Sequence, residues 1–128
     1  MKLHFFSKVD EELIQYIVDA SWNDNVLSYY EKHEGQANLV NLIVKNDTIE
    51  LIRDGDICSK FTFKKGCITQ AEYKNLYGNM NFEILTNELV ILKNKILIEY
   101  TTIFDKNSTT NVKLWFLIKE NAWIISSF

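Results

Sequence analysis

Apolar and polar residues alternate in short runs along most of the chain, and Asn, Asp or Gly interrupts these runs about every 8–12 residues. Because successive side chains of a β-strand point to opposite faces, the alternation predicts strands rather than helices. Short strands in succession indicate an antiparallel meander. We place the strands at 2–9, 12–22, 25–34, 38–45, 48–54, 57–64, 68–76, 80–92, 96–105 and 111–119, with a possible short strand at 122–127.

Every second position of several strands is apolar, which predicts one common inner face. The residues assigned to it include Leu3, Phe5, Val9, Ile57, Phe61, Phe63, Met80, Phe82, Ile84, Val112, Leu114, Phe116 and Ile118. An open sheet of this many strands would leave two unpaired edges, and closure removes them. The sequence therefore predicts an all-β fold, a closed antiparallel up-and-down β-barrel of about 8–10 strands.

Two local patterns bear on the position of a turn and on the choice between helix and strand. The segment Asp54-Gly55-Asp56 is the strongest hairpin signal, because glycine accepts the positive φ that primed turns require. Residues 11–18 could instead open a helix with Asp10 as its N-cap. The β-branched residues of this segment favour a strand.

Composition fits a single globular domain over residues 1–128, since 47% of the chain is hydrophobic and 13% is aromatic. The net charge of −3 predicts no attraction to nucleic acid. The opening residues lack the apolar core of a signal peptide, and no apolar run approaches the ~20 residues of a membrane helix. Two cysteines do not form a disulfide framework. We therefore expect a cytoplasmic protein with no membrane partner.

Three stretches of sequence are similar to a known family. They are residues 27–34 (LSYYEKHE), 52–55 (IRDG) and 73–78 (YKNLYG) followed by 82–86 (FEILT). Their order and spacing resemble the YwiB-like family of uncharacterised bacterial proteins, over roughly residues 1 to 119. The resemblance implies a calycin-type barrel, related in shape to lipocalins, and supplies no activity, substrate or cofactor. The residues around Tyr77 depart from the family pattern.

Arg53 is the only arginine among thirteen lysines, and it shares a strand phase with the apolar Ile49 and Leu51. A buried charge needs a partner, and Glu31, in phase with Leu27 on another strand, can supply one. Three interpretations stay open for Arg53. Its side chain can extend to solvent beside the turn, form a buried ion pair, or anchor a carboxylate or phosphate ligand through its planar fork.

Tyrosine hydroxyls near this arginine would help to orient a ligand. We select Tyr30 and Tyr73 because they lie in the resembling stretches, and add Tyr77. The two histidines are isolated, so no metal site or cofactor is predicted. The sequence contains no nucleophile elbow and no phosphate-binding glycine loop, which weighs against an enzyme.

Two hypotheses for the function follow from these residues. The first is a module that binds a small ligand, an anion if Arg53 anchors it, in or at the mouth of the barrel, with Arg53, Glu31 and the three tyrosines around it. The second is a barrel with a filled lumen that binds another protein or forms a homodimer. Exposed tryptophans would anchor such an interface, since tryptophan is enriched in hot spots. The candidates are Trp22, Trp115 and Trp123.

Overall fold

A computed structural model describes residues 1–33 and 35–119, which form ten β-strands. The strands are β1 (Lys2–Val9), β2 (Glu12–Asn23), β3 (Val26–His33), β4 (Gln36–Val44), β5 (Thr48–Gly55), β6 (Cys58–Lys64), β7 (Ile68–Asn75), β8 (Gly78–Leu92), β9 (Lys95–Asp105) and β10 (Ser108–Lys119). The possible strand at 122–127 lies outside the described residues. No helix in the described ranges is long and apolar enough to cross a membrane.

Each strand pairs in antiparallel fashion with the next one along the chain, and β1 also pairs with β10. The ten strands therefore close into an up-and-down barrel, which confirms the predicted fold class. Residues 12–18, for which a helix was the alternative, belong to β2 and pair with β1. The sequence signal at this point was the strand propensity of its β-branched side chains.

The predicted inner face forms the core of the barrel. Phe5, Phe63, Ile84 and Phe116 are all buried, as the alternation of side chains requires. Met80 is an exception, because its side chain is 46% exposed. Ile57 is a second one, since it falls in the turn between β5 and β6 rather than within a strand. The phase of each strand was predictable, whereas the exact strand ends were not.

The barrel has two ends that differ in packing. We call the end with the β1–β2, β3–β4, β5–β6, β7–β8 and β9–β10 turns the mouth, and the opposite end the base. Large apolar side chains fill the lumen toward the base, among them Leu3, Leu42, Phe63, Ile96 and Phe116, each completely buried. Apart from Thr86, the buried polar residues of the inner face lie closer to the mouth, namely Glu31, Asn38, Ser59 and Thr102, which leaves that half of the lumen for a site.

The wall of the barrel is incomplete between β2 and β3. These two strands pair only over Ala20–Asn23 and Val26–Tyr29, next to the base. Toward the mouth, residues 12–19 have no partner on β3 in the described ladder and pair with β1 instead. Side chains bridge the two strands there, and Tyr16 is the central one.

Gly55 is needed for a reason other than the one the sequence indicated. Positive φ angles occur at three glycines, Gly35, Gly66 and Gly78, and not at Gly55. Gly55 is instead paired with Asn38 of β4. A Cβ atom at this position would collide with the carbonyl oxygen of Ala37 and lie 2.8 Å from Oδ1 of Asn38. Close approach of two strands, not turn geometry, therefore requires the glycine.

Two leucines offer a matched test of the packing. Leu42 is completely buried in the lumen, whereas Leu76 is 92% exposed in the β7–β8 turn. We expect Leu42→Ala to lower the free energy of unfolding by about 2–5 kcal/mol, because it removes buried apolar volume and leaves a cavity. Leu76→Ala should change it by less than about 0.5 kcal/mol. Urea denaturation measures both, and equal effects would contradict the filled base.

Candidate functional site

The mouth half of the lumen contains a cavity of about 440 Å³. This volume lies in the range that is usual for sites that hold small organic molecules. Much of the lining is apolar, with side chains from five different strands: Phe5, Ile14, Leu51, Phe61, Val112 and Leu114. Among the described residues that line it, Arg53 and Glu31 are the charged ones. The cavity is therefore a mainly apolar chamber with one charged pair in its wall.

Arg53 of β5 and Glu31 of β3 form an ion pair inside the barrel. The guanidinium Nε donates a hydrogen bond of 2.7 Å to Oε1 of Glu31. Only 20% of the arginine side chain and 10% of the glutamate side chain are exposed. The predicted pairing is confirmed, and the interpretation of Arg53 as a side chain that extends to solvent is wrong. Both residues have the inward phase of their strands, which is why they meet.

The carboxylate of Glu31 accepts hydrogen bonds from three neighbours. Besides Arg53, the hydroxyl of Tyr16 donates to Oε2 over 3.1 Å and Nδ2 of Asn38 donates to Oε1 over 3.3 Å. Asn38 is held in turn by the β5–β6 turn, because the backbone N–H of Ile57 donates to its Oδ1 over 2.8 Å. A buried carboxylate with this many donors is well compensated for its lost hydration. Glu31 is thus a fixed support for the arginine.

The hydrogen bond from Arg53 to Glu31 uses Nε and not the two terminal amino groups of the guanidinium. The two terminal amino groups have no hydrogen-bond partner among the residues that the structure describes. Burial alone would lower the pKa of the guanidinium, but the Glu31 carboxylate together with Tyr29 and Tyr16 outweighs burial and the pKa is raised. Arg53 is therefore a permanent cation that lines the cavity, and its two terminal amino groups make no hydrogen bond to the described residues.

Three tyrosines of the lumen keep their protons to high pH. Burial raises the pKa of Tyr29 and of Tyr100 to about 12. Burial also raises the pKa of Tyr16, with further contributions from Tyr29, whose hydroxyl lies 3.4 Å away, and from Glu31. These phenols are neutral hydrogen-bonding groups in the neutral pH range.

The structure brings together three of the five predicted site residues. Tyr73 lies half-buried on the inner face of β7 and lines the cavity with Arg53 and Glu31. Tyr30 is 74% exposed, because it lies between two inward residues of β3 and so points outward. Tyr77 is 95% exposed in the β7–β8 turn. The placement of Tyr30 and Tyr77 beside Arg53 is therefore wrong.

Sequence reasoning missed three polar residues of this region, Tyr16, Asn38 and Ser59. All three have the inward phase of strands whose other inward residues are apolar, as Arg53 does. The same signal that selected Arg53, a polar residue at an apolar phase near a strand end, would have found Asn38 and Ser59. Tyrosine counts as apolar in such a pattern, so the sequence did not single out Tyr16. Its hydrogen bonds to β3 form where β2 and β3 are not paired.

Other candidate groups do not form a second site. The described residues contain no cluster of three or more His, Cys, Asp and Glu that could hold a metal ion. Cys58 and Cys67 are free thiols. Trp22 and Trp115 are half-buried, with Trp22 packed on the core and Trp115 edge-on to Phe6, so neither is the exposed anchor that was expected. The third candidate, Trp123, lies outside the described residues.

Comparisons with known proteins support the fold and its family. A family model described as a domain of unknown function (DUF1934) matches residues 4–115. Among solved structures, the chain is similar to the crystal structure of the ywiB protein from Bacillus subtilis, with a TM-score of 0.66 and 20% sequence identity over 93% of this chain and 91% of that chain. At this identity, the likeness supports the fold alone. Comparison with curated proteins gave no match. The resemblance drawn from the three sequence stretches is confirmed.

The ion pair can be tested by a double-mutant cycle. Glu31→Gln leaves the Arg53 charge buried without its counterion, so we expect the free energy of unfolding to fall by about 3–5 kcal/mol. Adding Arg53→Met should recover part of that loss, because the lumen is then uncharged. Glu99→Gln is the control, since it breaks a more exposed pair with Lys113 and should cost less than about 1 kcal/mol. Equal losses for the two glutamates in urea denaturation would contradict the buried pair.

The tyrosines predict alkaline instability. In the unfolded chain they ionise near the ordinary pKa of 10.0, whereas folded Tyr29 and Tyr100 stay protonated to about 12. Their contribution to stability is therefore complete below pH 10 and is lost as the pH rises to 12. We expect tyrosinate absorbance to rise together with unfolding, followed by circular dichroism, and Tyr100→Phe to make the loss of stability shallower. Ionisation of these residues in a still folded barrel would contradict their burial.

Proposed function

The chain belongs to the family described as a domain of unknown function (DUF1934), and since that description assigns no activity, we propose from the site itself that the barrel binds a small organic anion with an apolar body. The body occupies the mouth half of the lumen, and Arg53 holds the charged head. The observation that carries this proposal is the bonding of the arginine, which lines the cavity, uses Nε for Glu31 and makes no hydrogen bond from its two terminal amino groups to the described residues.

The arrangement of the pair favours a ligand over a purely structural role. An Arg–carboxylate pair is strongest when two parallel N–H bonds reach the two carboxylate oxygens. Here Oε2 of Glu31 binds Tyr16, and Oε1 is shared between Arg53 and Asn38. The pair therefore fixes the plane of the guanidinium without using its fork. A preorganised fork in a partly dry cavity suits a planar anion.

The remaining walls suit an apolar body. Aromatic and aliphatic side chains from opposite sides of the barrel, such as Phe5, Phe61 and Leu114, line the chamber. Burial of a hydrocarbon or aryl group against them would contribute about 25 cal/mol for each Å² removed from water. A small inorganic anion would leave this surface wet, so the ligand we propose is amphipathic.

Location and partners are part of the same proposal. The free thiols of Cys58 and Cys67 support a reducing compartment, and we propose the cytoplasm. With a net charge of −3, nucleic acid is not proposed as a partner. The alternative function, an interaction module or homodimer, has one observation in its favour, the exposed apolar tip of the β7–β8 turn at Leu76 and Tyr77. We propose no catalysis.

Two fluorescent dyes with the same aromatic body test the proposal. Anilinonaphthalene sulfonate carries an anionic head, and phenylnaphthylamine lacks it. We expect the wild type to bind both dyes and the anionic dye more tightly. Arg53→Met should weaken the anionic dye by about 10-fold or more, because a hydrogen-bonded ion pair is lost, and change the neutral dye by less than about 2-fold. Fluorescence titration gives both constants.

The control variant is Lys8→Met, which removes an exposed cation from the outer face of β1. It should leave both dyes unchanged. Native mass spectrometry of the same proteins should show monomer with dye at a ratio of one to one. A wild type that binds neither dye, or an Arg53→Met variant that binds the anionic dye equally well, would overturn the proposal. A dimer that persists without either dye would favour the interaction module.

A further inference from the structure

Three polar side chains stand in one row across neighbouring strands at the mouth. Arg53 of β5 is paired in register with Ser59 of β6, and Ser59 is paired in register with Tyr73 of β7. All three have the inward phase of their strands. Side chains that face one another across antiparallel strands have Cβ atoms about 4.5–5.5 Å apart. The row therefore places the arginine and the two hydroxyl-bearing side chains at adjacent positions of the inner wall.

Ser59 has an unusual hydrogen-bonding state. The residue is 6% exposed, and its hydroxyl oxygen has no hydrogen-bond partner. A buried hydroxyl without a partner costs free energy, and native proteins contain few of them. In the part of the chain that is described, one other buried side-chain oxygen shares this state, Oγ1 of Thr86 toward the filled base. Ser59 differs from Thr86 because it is paired in register with Arg53, which lines the cavity.

Tyr73 completes the row from the other side. Its ring packs against the core, and its hydroxyl has no hydrogen-bond partner among the described residues. Arg53 and Tyr73 line both the lumen cavity and a second recess of about 520 Å³ at the rim, and Ser59 lines that recess too. The row thus forms the boundary between the apolar chamber and the surface, where the polar head of an amphipathic ligand would lie.

We infer that the row Arg53, Ser59 and Tyr73 binds the carboxylate of a monocarboxylic acid whose apolar body fills the lumen cavity. The inference rests on the proposed function and names its ligand class. The terminal amino groups of Arg53 donate two parallel hydrogen bonds to the two carboxylate oxygens. The hydroxyls of Ser59 and Tyr73 donate to the remaining lone pairs of the same oxygens. The ligand thereby supplies the partner that Ser59 lacks.

The charges around the row favour a carboxylate over a phosphate monoester. Arg53 is the cation among the described residues that line the lumen cavity, and Glu31 already offsets its charge. The rim recess adds Lys60 and Lys74, but Asp54 and Glu72 line it too and offset them. A dianion would therefore face little net positive charge in a partly buried site, where an uncompensated charge is costly. A monoanion needs less compensation, and the hydroxyl donors supply it without added charge. We therefore expect the row to select ligands by the charge of their head group as well as by its shape.

The test uses competitors with one body and different heads. Phenylnaphthylamine bound in the lumen is displaced with naphthoate, naphthyl phosphate or methylnaphthalene, in the wild type and in Ser59→Ala, Tyr73→Phe and Thr86→Val. We expect naphthoate to displace the dye from the wild type at the lowest concentration. Ser59→Ala should weaken naphthoate by about 10-fold and Tyr73→Phe by about 3- to 10-fold, as is usual for lost hydrogen bonds. Methylnaphthalene should change by less than about 2-fold in either variant.

Thr86→Val is the matched control, because it removes the other buried hydroxyl that lacks a partner, and it should leave all three competitors unchanged. Thermal unfolding adds a readout that does not depend on the ligand. Without ligand, Ser59→Ala should keep or raise the Tm, since it removes an unsatisfied group. With naphthoate present, the wild type should gain more in Tm than the Ser59→Ala variant.

The outcomes separate this inference from the proposed function. If Arg53→Met weakens naphthoate while Ser59→Ala and Tyr73→Phe do not, the inference is wrong and the anion-binding barrel stands. If naphthyl phosphate displaces the dye better than naphthoate, the ligand class is wrong. A fall in Tm of the ligand-free Ser59→Ala protein, larger than that of Thr86→Val, would show that the hydroxyl has a structural partner. If the wild type takes up no dye or competitor, both proposals fail.

Discussion

The width of a ten-strand closed barrel is the constraint on which the rest of this structure depends. The diameter of a closed sheet grows with its strand number, and about eight strands already enclose an interior that side chains can just fill. Ten strands need large inward residues, and the base half has them in Phe63, Phe116 and a set of leucines and isoleucines. Toward the mouth, polar residues such as Glu31, Asn38 and Arg53 stand among the apolar inward positions, and a cavity remains. The sequence thus divides one lumen into a filled half and an open half.

The polar side chains in the open half hold one another in place through successive contacts that lead from Gly55 to Arg53. Gly55 lets β5 approach Asn38 closely, and the following turn fixes the amide of Asn38 through the N–H of Ile57. Asn38 and Tyr16 then hold the carboxylate of Glu31, which orients Arg53. Each link satisfies a group that would be costly to bury alone. A local change at the β5–β6 turn is therefore coupled to the direction of the arginine fork.

The sequence predicted what depends on neighbours along the chain. Alternation predicted the strands, their inward phases and the closed meander, and the phases of Arg53 and Glu31 predicted their pairing. It could not predict which end of the lumen stays open, because that depends on how all ten strands are staggered against one another. Nor could it predict the bridge by Tyr16, since that bridge exists only where β2 and β3 part. Tyr30 and Tyr77 were selected by resemblance and not by phase, and both lie outside the site.

The hydrogen bonding of Arg53 differs from the contact that neutralising Glu31 alone would favour. If the pair served only to neutralise Glu31, a two-point contact through the fork would give the stronger bond. In the structure, Tyr16 donates to Oε2 of Glu31, and Asn38 and Arg53 both donate to Oε1. Arg53 contributes one hydrogen bond to this carboxylate, from Nε. Paired in register with Arg53 is Ser59, whose buried hydroxyl has no partner in the described structure. The proposed binding site rests on these two kinds of unused donor on neighbouring strands at the edge of an apolar chamber.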